Sequence, residues 1–172
     1  MRSVRSLTAA AAVAVAFGLA ACHAGGDYAP TGRAPGDIDR GETNGSQFDF
    51  VTNKPDGDDW QIRIRGASLW AAYSKGDKSD QLGTANLTDK EVKKVWKLID
   101  ALDMPERKKG KQDPDEGYVT LRLRVPSDND DDPQHSIYTS FAPRDEPGDD
   151  VEELATYLQD LIGKYFKEKP NF

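Results

Sequence analysis

At 172 residues, with 37% hydrophobic and 31% charged side chains, the chain has enough length and apolar content for one domain with a real core. Its formal charge of −7 argues against nucleic acid or anionic headgroups as partners, because affinity for phosphate rests on neutralising it with Lys and Arg. A single cysteine, Cys22, leaves no disulfide to restrain the unfolded chain, so stability must come from the core.

Behind Arg2 and Arg5 an apolar run extends from Leu7 to Ala21 and closes in Leu19-Ala20-Ala21-Cys22. A cationic start, a short apolar stretch and small residues before a cut describe a secretory signal peptide over residues 1–21. At about 15 residues the run is shorter than the ~20 a bilayer-spanning helix needs. Leu19-Ala20-Ala21-Cys22 resembles the bacterial lipobox, the site where signal peptidase II cuts after diacylglycerol is attached to the cysteine sulfur. The resemblance implies a mature lipoprotein that begins at Cys22 and hangs from a membrane of the cell envelope by its acyl chains. Each buried methylene contributes about 0.8 kcal/mol, so several chains together make a stable anchor. An ordinary secretory signal is the alternative; it would leave Cys22 as an unpaired thiol in an oxidising compartment. The second mature residue is His23, not the aspartate that holds many lipoproteins of Gram-negative bacteria in the inner membrane. The resemblance therefore points to the outer membrane, facing the periplasm or the cell surface. Removal of Arg2 and Arg5 leaves the remainder two units more negative.

Residues 22–46 are rich in Gly, Pro and small polar side chains and cannot bury enough surface to order themselves. They read as a tether, with a root-mean-square reach of roughly 25 to 30 Å. A single globular domain then spans 47–172. Phe48 and Phe50, then Trp60, Ile62 and Ile64, alternate with polar partners as half-buried strands do, and Lys54-Pro55-Asp56-Gly57-Asp58-Asp59 supplies the turn between them. Ala67 to Tyr73 reads as the next strand, with Lys75-Gly76-Asp77 as its turn. Asp56, Asp58 and Asp59 invite a calcium ion, but an EF-hand loop needs regular acidic ligands and a closing bidentate Glu, which are missing.

Thr88 and Glu91 form a capping-box pair, with Leu87 and Val92 as its hydrophobic staple. Val92, Val95, Trp96, Ile99 and Leu102 follow at helical spacing, and Pro105 ends the helix. After the basic loop Arg107-Lys108-Lys109-Gly110-Lys111 comes a strand from Tyr118 to Pro126, with Val119, Leu121, Leu123 and Val125 on one side and Thr120, Arg122 and Arg124 on the other. The acidic segment Asp128-Asn129-Asp130-Asp131-Asp132-Pro133 turns the chain back into an antiparallel strand from Ser136 to Ala142, with Ile137 and Phe141 on its core side. Its density of carboxylates suggests calcium, although Pro133 stands where an EF-hand loop wants glycine. A final helix opens near Asp150 and Glu153, read as its cap, and runs on an apolar face from Val151 to Phe166. The order strand-strand-helix-strand-strand-helix, with one further strand near the start, predicts a two-layer α+β domain: an antiparallel sheet of four to five strands with two helices on one face.

That architecture leaves the other sheet face to binding. Arg63 and Arg65 lie opposite in parity to Ile62 and Ile64, and Arg122 and Arg124 lie opposite to Leu121 and Leu123. If their strands are neighbours, four guanidinium groups and Tyr118 share one surface on an acidic protein, of residue types enriched at binding sites. The expected partner is an acidic envelope protein or an anionic polymer. No thiol nucleophile survives if Cys22 is acylated, His135 is the only imidazole beyond the tether, and no Gly-rich phosphate loop follows a strand. The expectation is a noncatalytic module without metal or cofactor. The order of elements and the Leu87-Thr88 helix start are also loosely similar to emfourin-type metalloprotease inhibitors, which implies protease inhibition as an alternative role.

Overall fold

The computed structural model describes residues 45–126 and 136–172. Expectations for the signal segment, Cys22, the tether up to residue 44, His135 and the Asp128–Asp132 turn lie outside these residues. The described chain forms β1 (Gln47–Asn53), β2 (Asp58–Arg65), β3 (Ser68–Lys75), β4 (Lys78–Asn86), α1 (Asp89–Ala101), β5 (Tyr118–Val125), β6 (Ser136–Pro143) and α2 (Asp149–Phe166). The six strands make one sheet in the order β4-β3-β2-β1-β5-β6, and every neighbouring pair is antiparallel. This is an α+β fold with one strand more than the upper expectation.

The additional strand is β4. It pairs with β3 from Ser68↔Asn86 to Lys75↔Lys78, with a register shift between Ala71 and Ala72. Its sequence, KSDQLGTAN, carries no apolar alternation because the strand is an edge and most of it faces solvent. Only its backbone partners make it a strand.

The core follows the predicted parity. Phe48 and Phe50 are paired with Ile64 and Ile62 on one side and with Leu123 and Leu121 on the other. Both helices pack on this face: Val92, Val95, Trp96 and Ile99 of α1 and Val151, Leu154, Leu158, Leu161 and Ile162 of α2 join the same buried cluster. Trp96 spans the layer and donates its indole N–H to the Gly66 carbonyl at 3.0 Å, in the turn between β2 and β3. Satisfying that donor is what allows a Trp to be buried here. The chain after α2 folds back over the end of the same layer. Phe172 packs on Phe50 at 5.1 Å and meets Trp60 edge-on at 6.4 Å, while Lys54 donates to the Asn171 carbonyl.

The capping box closes as expected: the Glu91 carboxylate accepts the Thr88 N–H at 2.8 Å and the Thr88 hydroxyl at 2.6 Å. Glu91 also holds the second helix. It accepts from Lys164 Nζ at 2.6 Å and from the Tyr165 hydroxyl at 2.8 Å, near the far end of α2. The expected cap of α2 is corrected. Gly148, with φ 96°, is the cap residue, and Asp150 sits in the first turn, where it pairs with Arg107 instead. The helices therefore run antiparallel and are clasped at both ends.

Burial pushes the Glu91 carboxyl up, but the hydrogen bonds from Lys164, Thr88 and Tyr165 outweigh it and bring it down from 4.5 to about 2. A carboxylate with a depressed pKa stabilises the fold above its unfolded value, and that contribution is lost as pH falls through the folded one. Because the Lys164 end of the clasp is open to solvent, Glu91→Gln should cost about 1–2 kcal/mol at pH 7. The cost should shrink as pH falls from about 5 towards 2. Urea unfolding of both proteins across that range measures it, with the wild-type and variant curves converging at the acidic end.

Candidate functional site

Residues of opposite parity to the core build the outer face of the sheet. β1 begins the pattern: Asp49 lies between Phe48 and Phe50 and so points away from them. The register places Asp49 opposite Arg63 of β2 and opposite Arg122 of β5. Gln47, two residues earlier, faces Arg65 on one side and Arg124 on the other. The two arginine-bearing strands are thus not neighbours, the condition under which the sequence placed their arginines on one surface. β1 lies between them, because Phe48 and Phe50 need apolar partners on both sides and β2 and β5 each supply a matching row.

All four arginines and Tyr118 nevertheless share the face, in different roles. Arg63 is only 8% exposed and Asp49 only 6%. The Arg63 Nε donates to Asp49 Oδ1 at 2.6 Å, and the guanidinium carbon lies 6.0 Å from the Trp70 ring centroid. Gln47 Nε2 adds two contacts of 3.3 Å to the same carboxylate. Arg63 is therefore an internal counter-ion to Asp49 that leaves little of its surface exposed. Arg65 is exposed, and Arg122, Arg124 and Tyr118 are half-buried. Tyr118 packs edge-to-face on Phe141 of β6, ring centroids 5.8 Å apart at 86°. Along a strand, same-face residues stand ~6.8 Å apart, and β2 and β5 are two interstrand steps of ~4.8 Å apart, so the guanidinium groups are anchored on a fixed grid. Their forked N–H donors suit the paired oxygens of carboxylate, sulfate or phosphate.

Asp49, Phe141 and Lys109 belong to this face and were not among the expected residues. Asp49 was legible, since its parity is that of a residue squeezed between two core phenylalanines. Phe141 was assigned to the core side of β6, but its register partner is Thr120, which places it on the outer face; Ala142, paired with Val119, takes the core position. The tyrosine next to Ile137, Tyr138, likewise faces the helices opposite Leu123, while Ile137 lies on the outer face opposite Arg124. Expecting Ile137 and Phe141 in the core mistook parity in a strand whose two faces are both partly apolar.

The acidic turn between β1 and β2 is occupied by its own backbone. Asp59 accepts the Lys54 N–H at 2.7 Å, Asp56 accepts the Asp58 N–H at 3.1 Å, and Asp58 pairs with Lys75 at 3.2 Å. Burial raises the Asp59 carboxyl above its usual range, against the opposing pull of the Lys54 N–H. These carboxylates fold the hairpin end, and among the described residues no group of three His, Cys, Asp or Glu side chains is arranged to hold a metal ion.

No family model matches the chain, and a search of curated proteins returns no match.

The Asp49–Arg63 pair gives a direct test of this geometry. Removing one member leaves the other charged and buried, which costs about 3–5 kcal/mol, whereas replacing both by apolar residues of similar size is close to neutral. Asp49→Ala should therefore destabilise by roughly that amount. The double replacement Asp49→Leu with Arg63→Met should recover most of the loss, as read by denaturant midpoints at constant m.

Proposed function

We propose that this chain is a lipid-anchored, noncatalytic binding module of the bacterial cell envelope. Acylation at Cys22 holds it to the membrane, and the outer sheet face recognises an anionic partner. The anchor rests on the lipobox-like Leu19-Ala20-Ala21-Cys22 behind a short apolar run. The binding role rests on one observation. Asp49 is already neutralised by Arg63, so Arg65 and Arg122 place additional positive charge on one face of a chain whose net charge is −7. An acidic protein that concentrates arginines on one face, at rigid strand positions, has a field suited to steering and holding an anion.

Both halves are testable. Cys22→Ser should abolish acyl modification by mass spectrometry and move the protein from the detergent to the aqueous phase on phase partition; retention in the detergent phase would count against the anchor. Combined Arg65→Ser and Arg122→Ser should leave circular dichroism unchanged while reducing capture of envelope material at least tenfold, because two charge-assisted contacts are lost. Wild-type capture should weaken as salt is raised. Capture by the double variant equal to wild type would remove the assignment of this face.

A further inference from the structure

We propose that the anion recognised by the outer face is an acidic polysaccharide, and that the loop between α1 and β5 completes the site by contributing Lys109. This rests on the anion-binding reading above and names its ligand. The loop is built onto the sheet. The Phe141 N–H donates to the Lys109 carbonyl at 2.7 Å, and the Ser140 hydroxyl donates to the Lys108 carbonyl at 2.9 Å. Gly110 follows at φ 71°, and a Cβ there would stand 1.9 Å from the Phe141 carbonyl oxygen, so the chain can lie this close to β6 only with glycine at that position.

This latch brings a cation to the outer face. Lys109 Nζ lies 6.0 Å from the Phe141 ring centroid, and Phe141 in turn packs against Tyr118. An oblique strip results: Arg65 on β2, then Arg122 on β5 one same-face position further along, then Phe141 on β6 a further position along, with Tyr118 of β5 packed against it and Lys109 beyond. From β2 to the loop beyond β6 the strip crosses four interstrand steps, about 19 Å, and shifts about 14 Å along the strands. A small anion would meet one or two of these cations. A linear polyanion lying obliquely over the strands meets them in succession.

Three observations favour sugar over protein as the backbone of that polyanion. The latched loop occupies the β6 edge at Phe141, so an added strand cannot pair there. Protein interfaces gain most of their energy from a buried apolar centre, but among the described residues Ile137, at 58%, is the only exposed large hydrophobic side chain. Sugar rings need less: their C–H groups pack on aromatic rings, and their acidic substituents take charge-assisted hydrogen bonds. Half-buried Tyr118 and Phe141 supply the first, and the arginines and Lys109 supply the second.

The test uses the acylated mature chain in detergent micelles, titrated calorimetrically with polygalacturonate, with poly-L-glutamate of equal charge, and with neutral dextran. The inference expects polygalacturonate to bind at least tenfold tighter than polyglutamate, with no binding of dextran. Lys109→Ala and Tyr118→Ala should each weaken polygalacturonate binding about three- to tenfold. Gly110→Ala, which keeps every charge but displaces the loop, should do the same with the circular dichroism unchanged. If the two polyanions bind equally, or polyglutamate binds better, and the loop variants change nothing, the sugar and the loop are wrong while the anion-binding face stands. If neither polyanion binds, both readings fail.

Discussion

The central strand β1 is the constraint on which the rest depends. It is paired along both edges, so each of its residues must satisfy two neighbours at once. Phe48 and Phe50 answer this on the helix side with the apolar rows of β2 and β5. Asp49 cannot. A carboxylate covered in the middle of a sheet is costly unless it is paired and hydrogen-bonded, and Arg63 and Gln47 do both. The electrostatics of the outer face follow from that local solution. With Arg63 committed inward, Arg65 on the next row of β2 stays exposed on the same face.

The helix layer is tied to the same end result through its clasps. Glu91 joins the start of α1 to the end of α2, and Arg107 joins the segment after α1 to Asp150 at the start of α2. Arg107 also donates to the Leu102 carbonyl at 3.2 Å, closing the end of α1. Burial raises the Asp150 carboxyl, but the Arg107 contact and charge together with backbone hydrogen bonds, the Val151 N–H first among them, outweigh it and hold the carboxyl below its usual range. The loop that carries Lys108 and Lys109 to the β6 edge thus leaves from a fixed point. Packing on one side of the sheet determines which cation reaches the other side.

Charge is distributed unevenly. Acidic residues crowd the β1–β2 turn, where they cap backbone N–H groups, and the first turn of α2, where they suit the helix dipole. Arginines gather on the outer face, while lysines lie in the loop beside it and on the solvent side of α1. A net charge of −7 is a sum over the whole surface and does not report the arginines gathered on one face.

Much of this was legible in residue patterns. Period-two alternation in β1, β2 and β5 located the core rows, the Thr88–Glu91 spacing located the start of α1, and the apolar stripes located both helices, because these signals are local and each is set by a residue's own burial. The strand β4 was not legible: an exposed edge strand needs no apolar alternation, and only backbone pairing to β3 makes it one. Nor was the order of strands. Arg63 and Arg122 have the same parity whether or not their strands touch, and only the long-range pairing of β1 with β5 put Asp49 between them. The amino-acid sequence by itself determined the class of fold, the apolar faces and the basic character of the outer face, since periodicity and side-chain chemistry travel with the chain. Tertiary structure alone decided which arginine is an internal counter-ion and which loop lysine joins the others, since both depend on contacts between residues far apart in sequence.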